Sequence, residues 1–211
     1  MARLKKGPSK NMEVRNQVKD SKFYGSIFSV ENRKEAENRI KEIKNKYPDA
    51  SHNVSAFRVE NTELDQDPIE FFDDDGEPSG SSGPPVLEAI KGENLINTVI
   101  IVTRYFGGTK LGIGGLIRAY GDTARLAIKE AGIETLNEYY LIEVKSSFEK
   151  LGTVLGQLES FKADIKNTEY TNTGAAVKAV ISTDIKNHLK KILREKTAAD
   201  CDFEIIKSVF K

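Results

Sequence analysis

The residues best suited to chemistry are concentrated between Arg104 and Arg125. Gly107, Gly108, Gly112, Gly114 and Gly115 crowd one stretch, with Thr109, Lys110 and Leu111 among them. Ahead of a helix, such a loop presents free backbone N–H groups and the positive end of the helix dipole, the ingredients of an anion site. The formal nucleotide signatures are absent. A P-loop requires Lys and Ser or Thr directly after its second glycine, and Gly112 is followed by Ile113 and Gly114. The dinucleotide fingerprint requires glycine three residues beyond Gly114, where Ile117 stands. Two readings stay open: the glycines serve tight turns and close packing, or they cradle phosphate. Arg118, Asp122, Arg125 and Lys129 then recur on one helical face, with Arg104 and Lys110 upstream. That stripe is either the wet side of an amphipathic helix or a set of forks for phosphate. The candidate anion- or nucleic-acid-binding set is therefore Arg104, Gly107, Gly108, Lys110, Gly112, Gly114, Gly115, Arg118 and Arg125.

A second concentration, Asp73-Asp74-Asp75-Gly76-Glu77, invites a metal reading. A calcium loop counted from Asp73 needs glycine where Pro78 stands, so the pattern reads as a solvated turn. Of the two histidines, His188 lies on a Lys-rich helix, while His52 leads into a strand and is the better functional candidate. His52, Asp74, Asp75, Glu77 and Ser79 form a possible functional surface. Cys201 alternates with Phe203 and Ile205 and reads as a small buried hydrophobe. No serine sits in a Gly-x-Ser-x-Gly elbow. No catalytic set, metal cluster or cofactor signature emerges.

The elements that must position these residues follow from periodicity. Lys22–Val30 reads as a strand, and Asn32 with Glu35 opens a helix whose face is Ala36, Ile40, Ile43 and Tyr47, stopped by Pro48. Strands are expected around Val54–Val59 and Ile69–Phe72, then a short helix at Val86–Ile90. Val99-Ile100-Ile101-Val102 predicts a strand buried on both faces. The glycine loop opens a long helix with Leu116, Ile117, Tyr120, Ala124, Ala127, Ile128 and Ala131 inward, ended by Gly132. From Tyr140 the order strand, helix, strand, strand, helix, strand appears, with Asn172-Thr173-Gly174 as a hairpin turn. This predicts a basic N-terminal segment at 1–19 that is a solvated tail, a first domain at 20–136 and a second at 137–211.

Bulk composition excludes more than it selects. The chain has 211 residues, with Lys+Arg and Asp+Glu equal at 32 each, so net charge names no partner. One cysteine rules out an internal disulfide and points to a reducing compartment. No apolar run approaches the roughly 20 residues of a membrane helix, and no signal peptide follows the basic start, so a cytoplasmic protein is expected.

Ser51-His52-Asn53, Asp74 through Gly80, and above all Thr103-Arg104-Tyr105-Phe106-Gly107-Gly108 running on to Arg118-Ala119-Tyr120-Gly121-Asp122 resemble the YigZ/IMPACT family. The resemblance covers about Ser21 to Ala131, and the part from Tyr140 is similar to the small C-terminal domain of its prokaryotic members. It implies an α+β protein: a domain like domain 2 of ribosomal protein S5, followed by a ferredoxin-like (βαββαβ) domain. Both folds are common in translation, so RNA, the ribosome or a translation-associated protein is the expected partner, by fold-level analogy. The role of eukaryotic relatives in a starvation kinase pathway belongs largely to an extra N-terminal domain, for which the chain before Ser21 is too short. Val54 also stands where the resemblance leads one to expect cysteine. The resulting expectation is a non-catalytic RNA- or ribosome-associated modulator of translation or stress response. The alternatives are an enzyme binding a phosphorylated small molecule at Gly107–Gly115, or an adaptor docking a partner through Ser79–Pro85.

Overall fold

The computed structural model describes residues 5–61 and 67–210. Residues 1–4 of the basic N-terminal segment and residue 211 of the second domain lie outside the described residues. The chain divides into two compact units, one ending at Leu136 and the other running on from Asn137.

In the first unit, strands β2 (Met12–Val18), β3 (Ser21–Ser29), β4 (His52–Val59), β5 (Ile69–Asp73) and β6 (Thr98–Tyr105) form one antiparallel sheet of order β2-β3-β6-β4-β5. Helix α1 (Arg33–Lys46) covers one face, and α2 (Gly83–Gly92) and α3 (Ile113–Ala131) cover the other. The apolar run of β6 follows from this layering. Val99 and Ile101 pack with Ala36, Ile40 and Ile43 of α1, while Ile100 and Val102 pack with Leu116, Tyr120 and Ala124 of α3. Burial on both faces thus arises in an antiparallel sheet, because helices cover both sides.

Helix α1 starts where its chemistry directs. The Asn32 side chain accepts from the Glu35 N–H at 3.0 Å, and Glu35 returns a bond to the Glu31 N–H at 2.9 Å, one residue ahead of the usual reciprocal partner. Helix α3 ends on Gly132, whose φ of 73° belongs to the left-handed region.

Two expectations are corrected here. The described part of the N-terminal segment is not a solvated tail: β1 (Lys6–Pro8) pairs with β7 (Ile133–Thr135), and β2 is an edge strand of the main sheet. Met12, Val14 and Val18 alternate onto the α3-side core, and that burial offsets the ordering cost. Ile117 is exposed rather than inward, because it is one residue past Leu116 and about 100° around the helix.

In the second unit, β8 (Glu138–Ser147), α4 (Phe148–Ser160), β9 (Asp164–Tyr170), β10 (Gly174–Ser182), α5 (Lys186–Lys196) and β11 (Cys201–Phe210) follow in turn. The antiparallel order β11-β8-β10-β9 is the ferredoxin-like arrangement. Val154 and Leu158 of α4 and Leu189 and Leu193 of α5 close a core with Ile142, Val144, Val177, Ala179, Ile181 and Phe203. Cys201 packs half-buried against that core. Ile205 is exposed rather than buried with Phe203, next to the point where the β11–β8 register shifts between Ile205 and Lys207. Among the described residues, no helix is long and apolar enough to cross a membrane.

Candidate functional site

Strand register builds the site. On β6 the alternation Ile100, Val102, Arg104 faces α3, and Arg104 is paired with Phe23 of β3 on one side and His52 of β4 on the other. Arg104 is 5% exposed and Glu77 is 8% exposed. The Arg104 guanidinium donates to Glu77 Oε1 at 2.6 Å, and the Tyr120 hydroxyl donates to the same oxygen at 2.7 Å. The guanidinium also lies between the rings of Phe23 and Phe106, at 5.7 and 5.4 Å. Burial, with the Glu77 carboxylate beside it, pushes the Tyr120 hydroxyl well above its ordinary value, so it remains a donor.

The acidic turn aims Glu77 inward. Asp74 Oδ1 accepts from the Ser82 and Gly83 N–H groups at 3.0 and 2.8 Å and from the Ser82 hydroxyl, and its Oδ2 accepts from the Gly80 N–H. It thereby caps the N-terminus of α2, which the N-cap Ser82 does not do itself. Asp75 accepts from the Asn53 N–H at 2.7 Å and from Lys44 at 2.6 Å. Burial pushes both carboxyls up, but these donors outweigh it and hold Asp74 and Asp75 below the usual carboxylate range. Asp74 and Asp75 therefore pin the loop, and Ser79 is exposed on it.

His52 Nδ1 is 2.9 Å from the Asp75 carbonyl oxygen, and its Nε2 is 3.8 Å from Glu77 Oε1. A carbonyl only accepts, so Nδ1 is the donor in that contact. His52, Glu77 and Arg104 line a cavity of about 530 Å³ together with Lys110, Gly112 and Ile113. Phe106 and Ile113, 48% and 63% exposed, are its apolar rim.

The glycine loop forms another wall. Gly107 passes so close to the turn before β3 that an added Cβ would lie 2.0 Å from the Asp20 carbonyl carbon and oxygen. Gly112, the N-cap of α3, has φ 71° and ψ 164°, a region open to glycine alone, and no side chain caps the helix behind it. Gly108 and Gly114 are exposed, and Gly115 packs on Leu111.

The expected anion-binding set thus splits. Lys110, Arg118 and Arg125 are exposed, and Arg125 is held only by a surface pair with Asp122 at 2.7 Å. Arg104 is a correction: its strand position faces the core, and Glu77 occupies its guanidinium, so it offers no outward phosphate contact. Sequence reasoning missed Tyr120 as a polar participant. A tyrosine on an otherwise aliphatic buried face is the available signal, since its hydroxyl requires a partner. It also missed Ser21, whose hydroxyl lies 3.4 Å from Arg104 and 3.2 Å from the Gly107 N–H.

The family pattern of the Impact N-terminal domain matches residues 19–128. Among curated proteins, the chain is 37% identical over 107 residues to the IMPACT family member YvyE of Bacillus subtilis, over 51% of this chain and 49% of the relative. It is 42% identical over 93 residues to an IMPACT family member of Thermus thermophilus, over 44% of this chain and 51% of the relative. It is 34% identical over 102 residues to YigZ of Escherichia coli, over 47% and 48%. The chain spans about half the length of the curated relatives it matches. A solved structure, called only a hypothetical protein, superposes over 96% of this chain and 97% of its own with a TM-score of 0.76 at 24% identity, which shows the shared fold. The cavity and the glycine loop fall inside the matched span, and the chain belongs to the IMPACT family.

Proposed function

We propose that this protein is an RNA- or ribosome-associated modulator of translation that acts by binding. The observation that carries the reading is the outer face of α3. Arg118, Arg125 and Lys129 stand exposed along one side of a 19-residue helix, with Lys110 exposed just before its uncapped N-terminus. Lys110 and Arg118 add their fields to the positive end of the helix dipole, and a polyanion following the helix axis meets Arg125 and Lys129 further along. Arg125 gives up little by leaving Asp122, since an exposed pair contributes about 0–1 kcal/mol. The likeness to translation-associated folds supplies the choice of RNA over other polyanions, by analogy.

The test is a salt series on a mixed-sequence structured RNA. Arg118→Glu/Arg125→Glu should weaken binding and flatten the plot of log affinity against log salt by about 0.7–0.9 for each phosphate no longer neutralised. The fold should survive, because both side chains lie outside the core. Lys191→Glu, on an exposed position of α5, controls for bulk charge. Equal weakening by the control shows a diffuse effect. Absence of binding to RNA and to intact ribosomes by the wild-type protein removes this reading in favour of an adaptor.

A further inference from the structure

The mouth of the cavity beside α3 carries bare apolar surface on three bulky side chains. Phe106, Ile113 and Ile117 are 48%, 63% and 43% exposed. Ile113 and Ile117 are four residues apart on α3, so they form one stripe along its first turns. The Arg104 guanidinium lies against the Phe106 ring at 5.4 Å and holds it at the cavity edge. Leu111 and Leu116 continue the apolar wall into a volume of about 530 Å³. At the floor, the Glu77 carboxylate is already engaged by Arg104 and Tyr120. A concave apolar slot over a satisfied floor suits an apolar side chain entering from outside.

The rim is also cationic. Lys110 and Arg118 are exposed and form no ion pair among the described residues. Arg118 folds back toward the start of α3, its guanidinium lying 3.8 Å from where a Cβ on Gly114 would stand. Carboxylates on the adjoining elements are engaged: Glu77 with Arg104, Asp122 with Arg125, and Asp20 with the Thr109 hydroxyl. Two uncompensated positive charges beside an apolar slot decide among occupants. A second copy presenting the same patch would bring like charges together. A lipid surface takes up protruding apolar side chains but leaves a concave slot unfilled. An acidic segment matches both features, with apolar side chains in the slot and Asp or Glu on Lys110 and Arg118. We propose that this surface docks an acidic, amphipathic segment of a partner protein, its bulky apolar side chains seated on Phe106, Ile113 and Ile117. The inference goes beyond RNA binding and stands without it, since it uses the apolar start of α3 and not the basic length of the helix.

The experiment is selection of a random-peptide phage library on the full chain, followed by anisotropy titration of the enriched peptide in synthetic form. Enriched sequences should combine Asp and Glu with Leu, Ile, Phe or Trp. Ile113→Ser/Ile117→Ser and Lys110→Glu should each weaken the peptide by about tenfold or more. The isoleucine variant should fold, because both side chains stand exposed, and should bind structured RNA as the wild type does. Arg125→Glu, well along α3, should leave the peptide within about twofold while weakening structured RNA. Peptide binding without RNA binding therefore upholds this inference and removes only the RNA reading. The proposal is overturned if no acidic, apolar peptide is enriched, or if the enriched peptide ignores Ile113→Ser/Ile117→Ser and Lys110→Glu. It is equally overturned if phosphatidylglycerol vesicles, and not the peptide, bind in a way that the isoleucine variant abolishes. Sedimentation of the wild type as a dimer that the isoleucine variant splits would assign the patch to a second copy and overturn it too.

Discussion

Glu77→Leu should be among the most damaging single changes in the first unit, although it swaps a charge for an apolar side chain of similar size. In the wild-type protein, one carboxylate oxygen receives the Arg104 guanidinium at 2.6 Å and the Tyr120 hydroxyl at 2.7 Å, all three groups being buried. Leucine leaves the Arg104 charge in the core with Ser21 at 3.4 Å as its remaining hydrogen-bond partner. Breaking a buried pair from one side costs about 3–5 kcal/mol. The stranded Tyr120 hydroxyl adds about 1 kcal/mol more. Arg104→Met alone strands Glu77 instead and should cost a similar amount. Glu77→Leu/Arg104→Met removes both charges and should recover to within about 2 kcal/mol of wild type, because the desolvation cost disappears along with the attraction. Native-state amide hydrogen exchange in β6 is the suitable assay, since it reports the opening of this unit separately from the second. A Glu77→Leu cost under about 1 kcal/mol would refute the reasoning, as would a double variant as unstable as the two singles combined.

Gly107→Ala should destabilise the first unit by more than about 3 kcal/mol, because its Cβ would lie 2.0 Å from backbone atoms of Asp20 that cannot move without shifting the turn before β3. Thermal melting with near-ultraviolet circular dichroism measures this, and an unchanged midpoint would show that the close approach relaxes. Asp74 gives a pH signature: its folded pKa is depressed, so its contribution is present above the unfolded value of about 4 and is lost as pH falls through the lower folded one. Urea midpoints should therefore fall for the wild type below about pH 4 and fall less steeply for Asp74→Asn, which starts about 1–2 kcal/mol lower at pH 7. Parallel slopes for the two would rule out the capping role.

Local sequence determined the elements and much of their burial. The 3.6-residue recurrence of Ala36, Ile40 and Ile43, the Asn32 cap and the unbroken Val99–Val102 run each act within a turn or a strand, so α1 and β6 were legible without tertiary context. The same holds for the alternating elements of the ferredoxin-like half. Only the tertiary structure decided which polar residues meet. Glu77, Arg104 and Tyr120 converge from a turn, a strand and a helix, and Arg104 reaches its place because β6 pairs with β3 at Phe23 and with β4 at His52. Register is a long-range property, and a slip of one residue would turn Arg104 to the opposite face. The N-terminal segment escapes a sequence reading for the same reason: Val14 and its neighbours carry a short alternation whose burial depends on pairing with β3 and packing beneath α3. Composition showed the basic residues, but only the folded sheet separated Arg104, neutralised inside, from Lys110, Arg118 and Arg125, which remain outside.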